Sequence, residues 1–272
     1  MKPYSRIIFS ADEALAEALT PALFTLGCEG IEEKAGGERI AWFSRDAVPD
    51  ARLFLEARNI RCTVEEVEAR DWHAEWKKNL KPVQLTETFW VAPCWLLGNL
   101  QGRKTILIEP KMAFGTGHHE TTRMCALYLE KYASGMNSLL DVGTGSGLLA
   151  ILGEKLGLHK IIALDNDATV RENIEENLQQ NGCSKISAYI GTLDSLDVGA
   201  GFDIITANII SSVIIPMLPA LHARMHGSSK LVLSGLLGSE KETIVKLLED
   251  NDFVVVNDNS LGEWWSVVAE KV

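Results

Sequence analysis

The run Asp141-Val142-Gly143-Thr144-Gly145-Ser146-Gly147 carries the strongest chemical signal in the chain. Glycines at alternate positions let a backbone turn sharply and approach a ligand closely. The run follows an apolar strand candidate and opens a helix, the setting of a nucleotide-binding turn. Yet Leu148 stands where the dinucleotide fingerprint needs its third glycine. Asp141 adds a charge argument. A carboxylate repels a pyrophosphate but attracts a sulfonium or an ammonium, by roughly 4 kcal/mol at about 4 Å and an effective dielectric of about 20. Asp141, beside the turn made by Gly143 and Gly145, is therefore expected to face a cationic ligand.

Two further strand ends carry polar residues. Asp165, in Ala163-Leu164-Asp165-Asn166-Asp167, lies about 20 positions beyond the glycines, where an acidic side chain accepts from ribose hydroxyls. Asp167 is the better helix cap, which leaves Asp165 for the ligand. Asn208, after the apolar run ending at Ala207, is either a turn residue or a group facing the reacting centre. Upstream, Phe114-Gly115-Thr116-Gly117-His118-His119-Glu120-Thr121-Thr122 reads as a loop covering the ligand. It lacks the lysine of a phosphate loop. Its consecutive His118, His119 and Glu120 cannot converge on one ion without strain, and His222 and His226 lack the glutamate of a zinc helix, so no metal is expected.

The elements around these residues divide the chain. From Ser138 onward, strand candidates at 138–142, 160–164, 186–190, 202–207, 230–234, 253–256 and 265–269 alternate in their first part with helices at 148–155, 168–180 and 211–225. That order predicts a doubly wound, mostly parallel α/β sheet, with its ligand at the carboxyl ends of the strands. Residues 1–68 read as β-α-β-β-α-β, a small ferredoxin-like α+β domain. They hold no catalytic constellation, so the module is expected to recognise a partner. Residues 69–112 read as linker and lead-in, with Trp72 and Trp76 on one helical face, and 113–272 as the ligand-binding domain.

Composition narrows the function further. There are 37 acidic and 26 basic residues, a formal net charge of -11. Such a surface suits a small-molecule enzyme, or one with a basic macromolecular substrate, and disfavours direct nucleic-acid binding. Five scattered cysteines without a CxxC pair suggest reduced thiols and a cytoplasmic setting. Met1 to Glu13 carries no signal-peptide core, and no run is long enough to span a membrane.

Taken together, Asp71-Trp72, Glu75-Trp76-Lys77-Lys78, Ala113 to Thr122, Asp141 to Gly147, Asp165-Asn166-Asp167, Ala207-Asn208-Ile209 and Glu263-Trp264 resemble, in order, the bacterial PrmA-type methyltransferases of large-subunit ribosomal protein eleven. The resemblance implies a class I methyltransferase fold, S-adenosylmethionine as cofactor, and methylation of lysine and N-terminal amines on that ribosomal protein by a monomeric enzyme. It implies that Thr122, Gly143, Asp165 and Asn208 bind the cofactor, and that Phe114 and Gly115, Thr116 and Gly117 cover it. His118 departs from the threonine expected there. Three alternatives follow from the residues: the same chemistry on another protein or a small amine; an NAD-dependent oxidoreductase, which the missing glycine and Asp141 disfavour; and a noncatalytic binding protein of the same fold, which the intact Asp141, Asp165 and Asn208 disfavour.

Overall fold

A computed structural model describes residues 4–34, 37–67, 80–110, 115–196 and 201–272. The Trp72–Trp76 segment and Phe114 lie outside the described residues. The chain divides into two compact units, 1–80 and 81–272.

The first unit is built as β1 (Tyr4–Ser10), α1 (Glu13–Thr25), β2 (Cys28–Glu33), β3 (Glu38–Ser44), α2 (Val48–Glu56) and β4 (Cys62–Val67). Its antiparallel sheet runs β2-β3-β1-β4, the ferredoxin-like arrangement. Asp12 starts α1 by accepting from the Leu15 amide at 2.9 Å. Leu19 and Leu23 on α1 and Leu55 on α2 meet Ile7, Phe9 and Phe43 of the sheet in one core. The second helix ends at Glu56. Asn59 takes a left-handed φ of 58° and the Ile60 amide reaches back to the Leu55 carbonyl, a C-terminal cap.

The second unit opens with β5 (Val83–Gln84), β6 (Phe89–Ala92) and β7 (Lys104–Leu107), a small sheet of its own. This stretch, expected as lead-in, belongs to the core of the unit. Phe89, Val91, Ile106 and Ile108 pack with Cys125 and Leu129 of α3 (Glu120–Tyr132) and with Leu148 and Ile151 of α4 (Leu148–Lys155).

The main sheet contains β8 (Ser138–Val142), β9 (Lys160–Asp165), β10 (Ile186–Ile190), β11 (Phe202–Asn208), β12 (Met225–Leu237), β13 (Phe253–Leu261) and β14 (Trp264–Lys271). Its order is β10-β9-β8-β11-β12-β14-β13. All pairs through β12 are parallel, and β14 alone runs against its neighbours. A dinucleotide sheet has the order 3-2-1-4-5-6. Here a reversed seventh strand is inserted between the fifth and sixth. Helices α5 (Arg171–Gln180), α6 (Ser211–Ala223) and α7 (Lys241–Glu249) complete the layers. The last two strands are longer than their apolar segments because their hairpin pairing continues to Leu261 and Trp264. The topological switch lies between β8 and β11, and the crevice there is the expected ligand site.

Candidate active site

The carboxyl ends of β8, β9 and β11 converge on a cavity of about 1050 Å³. Its floor is the glycine turn. The Gly143 and Thr144 amides donate to the Leu164 carbonyl at 2.8 and 3.0 Å, tying the turn to β9. Gly143, Gly145 and Gly147 all have positive φ, 68°, 55° and 81°, so the turn requires glycine. Asp165 braces it from the side: Oδ2 accepts the Gly145 amide at 2.8 Å and Oδ1 the Asp167 amide at 3.0 Å. Asp167 caps the short helix that follows, accepting from the Thr169 amide. The division of labour between these two aspartates follows the capping rule. Asp165, Gly143, Gly145 and Asn208 all line the cavity.

Asp141 does not. It is buried beneath the turn, and its two oxygens accept the hydroxyls of Thr144 and Thr206, each at 2.6 Å. Burial pushes its pKa up to about 6, against the opposing pull of the two threonines. The expectation of an Asp141 carboxylate facing the ligand is thus corrected: the side chain anchors the turn from below. The negative charge at the cavity wall comes instead from Asp165, Asp167, Glu172 and Asp194, and among the described residues no lysine or arginine lines it. This polarity suits a cationic ligand and opposes a pyrophosphate.

Thr122 is also displaced from its expected place. It is buried at the start of α3 and accepts from Asn208 Nδ2 at 3.1 Å, while Thr121 and His119 reach the wall. His119 is the N-cap of α3, and its ring meets Trp264 edge-on with centroids 5.1 Å apart. Asn208 is therefore held by its amide nitrogen. Its Oδ1 is buried, lacks a hydrogen-bond partner among the described residues, and belongs to a residue of the cavity wall. Gly115, Thr116 and Gly117 are not in that wall. The Gly115 carbonyl accepts from Ser146 Oγ at 2.7 Å, so the loop rests on the glycine turn. Thr116 Oγ1 and His118 Nδ1 are 3.3 Å apart.

Sequence reasoning missed Thr192 and Asp194 just past β10, and Ile209, Ile210 and Val213 beyond β11. The rule that ligands gather at strand carboxyl ends would have found the first pair.

This sheet, with its reversed strand and its glycine turn at the switch point, defines a class I methyltransferase fold. The family model described as Ribosomal protein L11 methyltransferase (PrmA) matches residues 38–272. The chain belongs to that family. A relative from Desulforapulum autotrophicum, named Ribosomal protein L11 methyltransferase, is 37% identical over 221 residues, covering 80% of this chain and 73% of the relative. One of the same name from Clostridium perfringens is 34% identical over 208 residues, covering 76% of this chain and 66% of its own length. A crystal structure of a ribosomal protein L11 methylase from Lactobacillus delbrueckii subsp. bulgaricus superposes with a TM-score of 0.65 at 28% identity, covering 71% of this chain and 99% of that one.

Proposed function

We propose that this protein transfers methyl groups from S-adenosylmethionine to amino groups of ribosomal protein L11, on lysine side chains and the N-terminal amine, in the cytoplasm. The carrying observation is the Asn208 carboxamide, on a residue of the cavity wall: its nitrogen is fixed by Thr122 and its buried Oδ1 has no partner among the described residues. An unpaired buried carbonyl is costly, and an amine N–H would satisfy it. The anionic wall and the Asp165 carboxylate fit a ligand with positive charge and ribose hydroxyls.

S-adenosylmethionine supplies a methyl group already activated on sulfonium. The protein's own work is positioning. Asn208 Oδ1 accepts one amine hydrogen and aims the nitrogen lone pair at the methyl carbon. A lysine amine, ordinarily near pKa 10.4, must first release its proton to water. Apolar Ile209, Ile210 and Trp264 on the wall desolvate the ammonium and favour that release. No residue has to act as general base. The ferredoxin-like module, residues 1–68, supplies substrate recognition in this reading. Its support is the absence of a catalytic constellation there and the acidic charge of the chain, which suits a basic partner.

Asn208→Ala tests the reading. Turnover should fall by about 100-fold or more while the Kd for S-adenosylhomocysteine stays within about fivefold. Turnover near that of the wild type would remove Asn208 from the chemistry.

A further inference from the structure

Ile209 follows Asn208 and has no polar group, yet it packs closely against two glycines of the site. A Cβ on Gly143 would lie 2.7 Å from Ile209 Cδ1 and 2.8 Å from Cγ1. The isoleucine side chain thus fills the volume directly over the first glycine of the ligand turn. On its other side, a Cβ on Gly235 would lie 2.6 Å from the Ile209 carbonyl oxygen and 2.9 Å from its carbon. The Ile209 amide donates to the Ser234 carbonyl at 3.1 Å. Both glycines have positive φ, 68° and 81°, and all three residues line the cavity. The side chain is β-branched and stiff at χ1, so it transmits displacement where a flexible one would absorb it.

We propose that Ile209 is a positioning residue, a spacer clamped between Gly143 and Gly235 that sets the distance between the ligand turn and the acceptor group of Asn208. The inference rests on the methyltransferase reading for its catalytic consequence only. Asn208 precedes the spacer by one peptide, and Gly143 carries the turn beneath the donor. Trimming the spacer lets the two halves of the site move independently. In a transfer governed by positioning, such slack appears in the chemical step and leaves acceptor binding almost unchanged.

Two readouts separate the clamp from the activity. The first needs no ligand: amide hydrogen exchange at Gly143, whose N–H is bonded to the Leu164 carbonyl. Ile209→Ala should accelerate exchange there about fivefold or more, and Ile209→Val should restore most of the protection. The second is kinetic. Ile209→Ala should lower kcat about tenfold with the acceptor KM within about twofold, and valine should recover most of it. Gly235→Ala, which forces the Ile209 peptide to move, should also lower kcat. Unchanged exchange at Gly143 in Ile209→Ala overturns the clamp, as does a loss seen in KM alone. If the wild type neither binds S-adenosylhomocysteine nor transfers methyl groups, the functional reading fails, and the exchange result still decides whether the clamp exists.

Discussion

Replacing Asp141 with asparagine should make the protein more stable at neutral pH. Its carboxylate is fully enclosed, and burial carries its pKa from the ordinary 3.8 to about 6. That difference corresponds to about 3 kcal/mol against the charged form. The folded pKa is raised, so the native state holds the proton more tightly than the unfolded chain. The associated stability is fully present below about pH 4 and is lost as pH rises through about 6. Asparagine removes the charge and keeps the shape. The Thr144 and Thr206 hydroxyls can rotate, one donating to Oδ1 and the other accepting from Nδ2. Urea unfolding of both proteins across this range should show near-equal stability at acid pH. The variant's advantage should grow to at most about 3 kcal/mol above about pH 6, smaller if the new hydrogen bonds are weaker. A variant less stable at neutral pH, by a margin that does not change with pH, would refute the reasoning. It would mean that the carboxyl group's bonds cancel its desolvation, leaving its pKa unshifted, and that the loss comes from a poor fit of asparagine between the two threonines.

Other substitutions probe neighbouring parts of the account. Asp165→Asn leaves one oxygen for two backbone donors, those of Gly145 and Asp167. Calorimetry should show S-adenosylmethionine affinity falling about 30-fold or more, and by more than in Asp141→Asn; the reverse order would return Asp141 to the cavity wall. Asp258 accepts from Trp265 Nε1 at 2.8 Å, and Trp265 is fully buried. Asp258→Ala should cost about 1–3 kcal/mol by denaturant unfolding. Lys241, then Trp265, hold the Asp258 pKa below the ordinary carboxylate value. The charge-linked part of its contribution should persist at neutral pH and be lost as pH falls through that depressed range, so the difference between wild type and variant should narrow in strong acid.

The strands that carry the site were legible because parallel, doubly buried strands read as apolar runs ending in polar residues. Asp165 and Asp167 could be told apart because a cap has a fixed relation to the helix behind it. Asp141 could not be placed this way. Which side of the turn its carboxylate occupies depends on the register of β8 against β11, where Asp141 pairs with Thr206 from a distant part of the chain. The exchange of Thr122 for Thr121 at the wall has a similar cause. The rotation of α3 is set by the His119 cap and by the bond from Ser234 Oγ to the Thr121 carbonyl, neither of which leaves a periodic trace. The clamp on Ile209 was invisible for the same reason, since Gly143 and Gly235 meet it only through the fold.

The central claim is most directly tested by incubating the protein with labelled S-adenosylmethionine and purified, unmethylated ribosomal protein L11, and locating the label by mass spectrometry. Label on lysine side chains and the N-terminal amine of L11 is the predicted result. Label absent from L11 but present on another protein in a matched unmethylated lysate would contradict the proposed substrate, and label nowhere would contradict the methyl transfer itself.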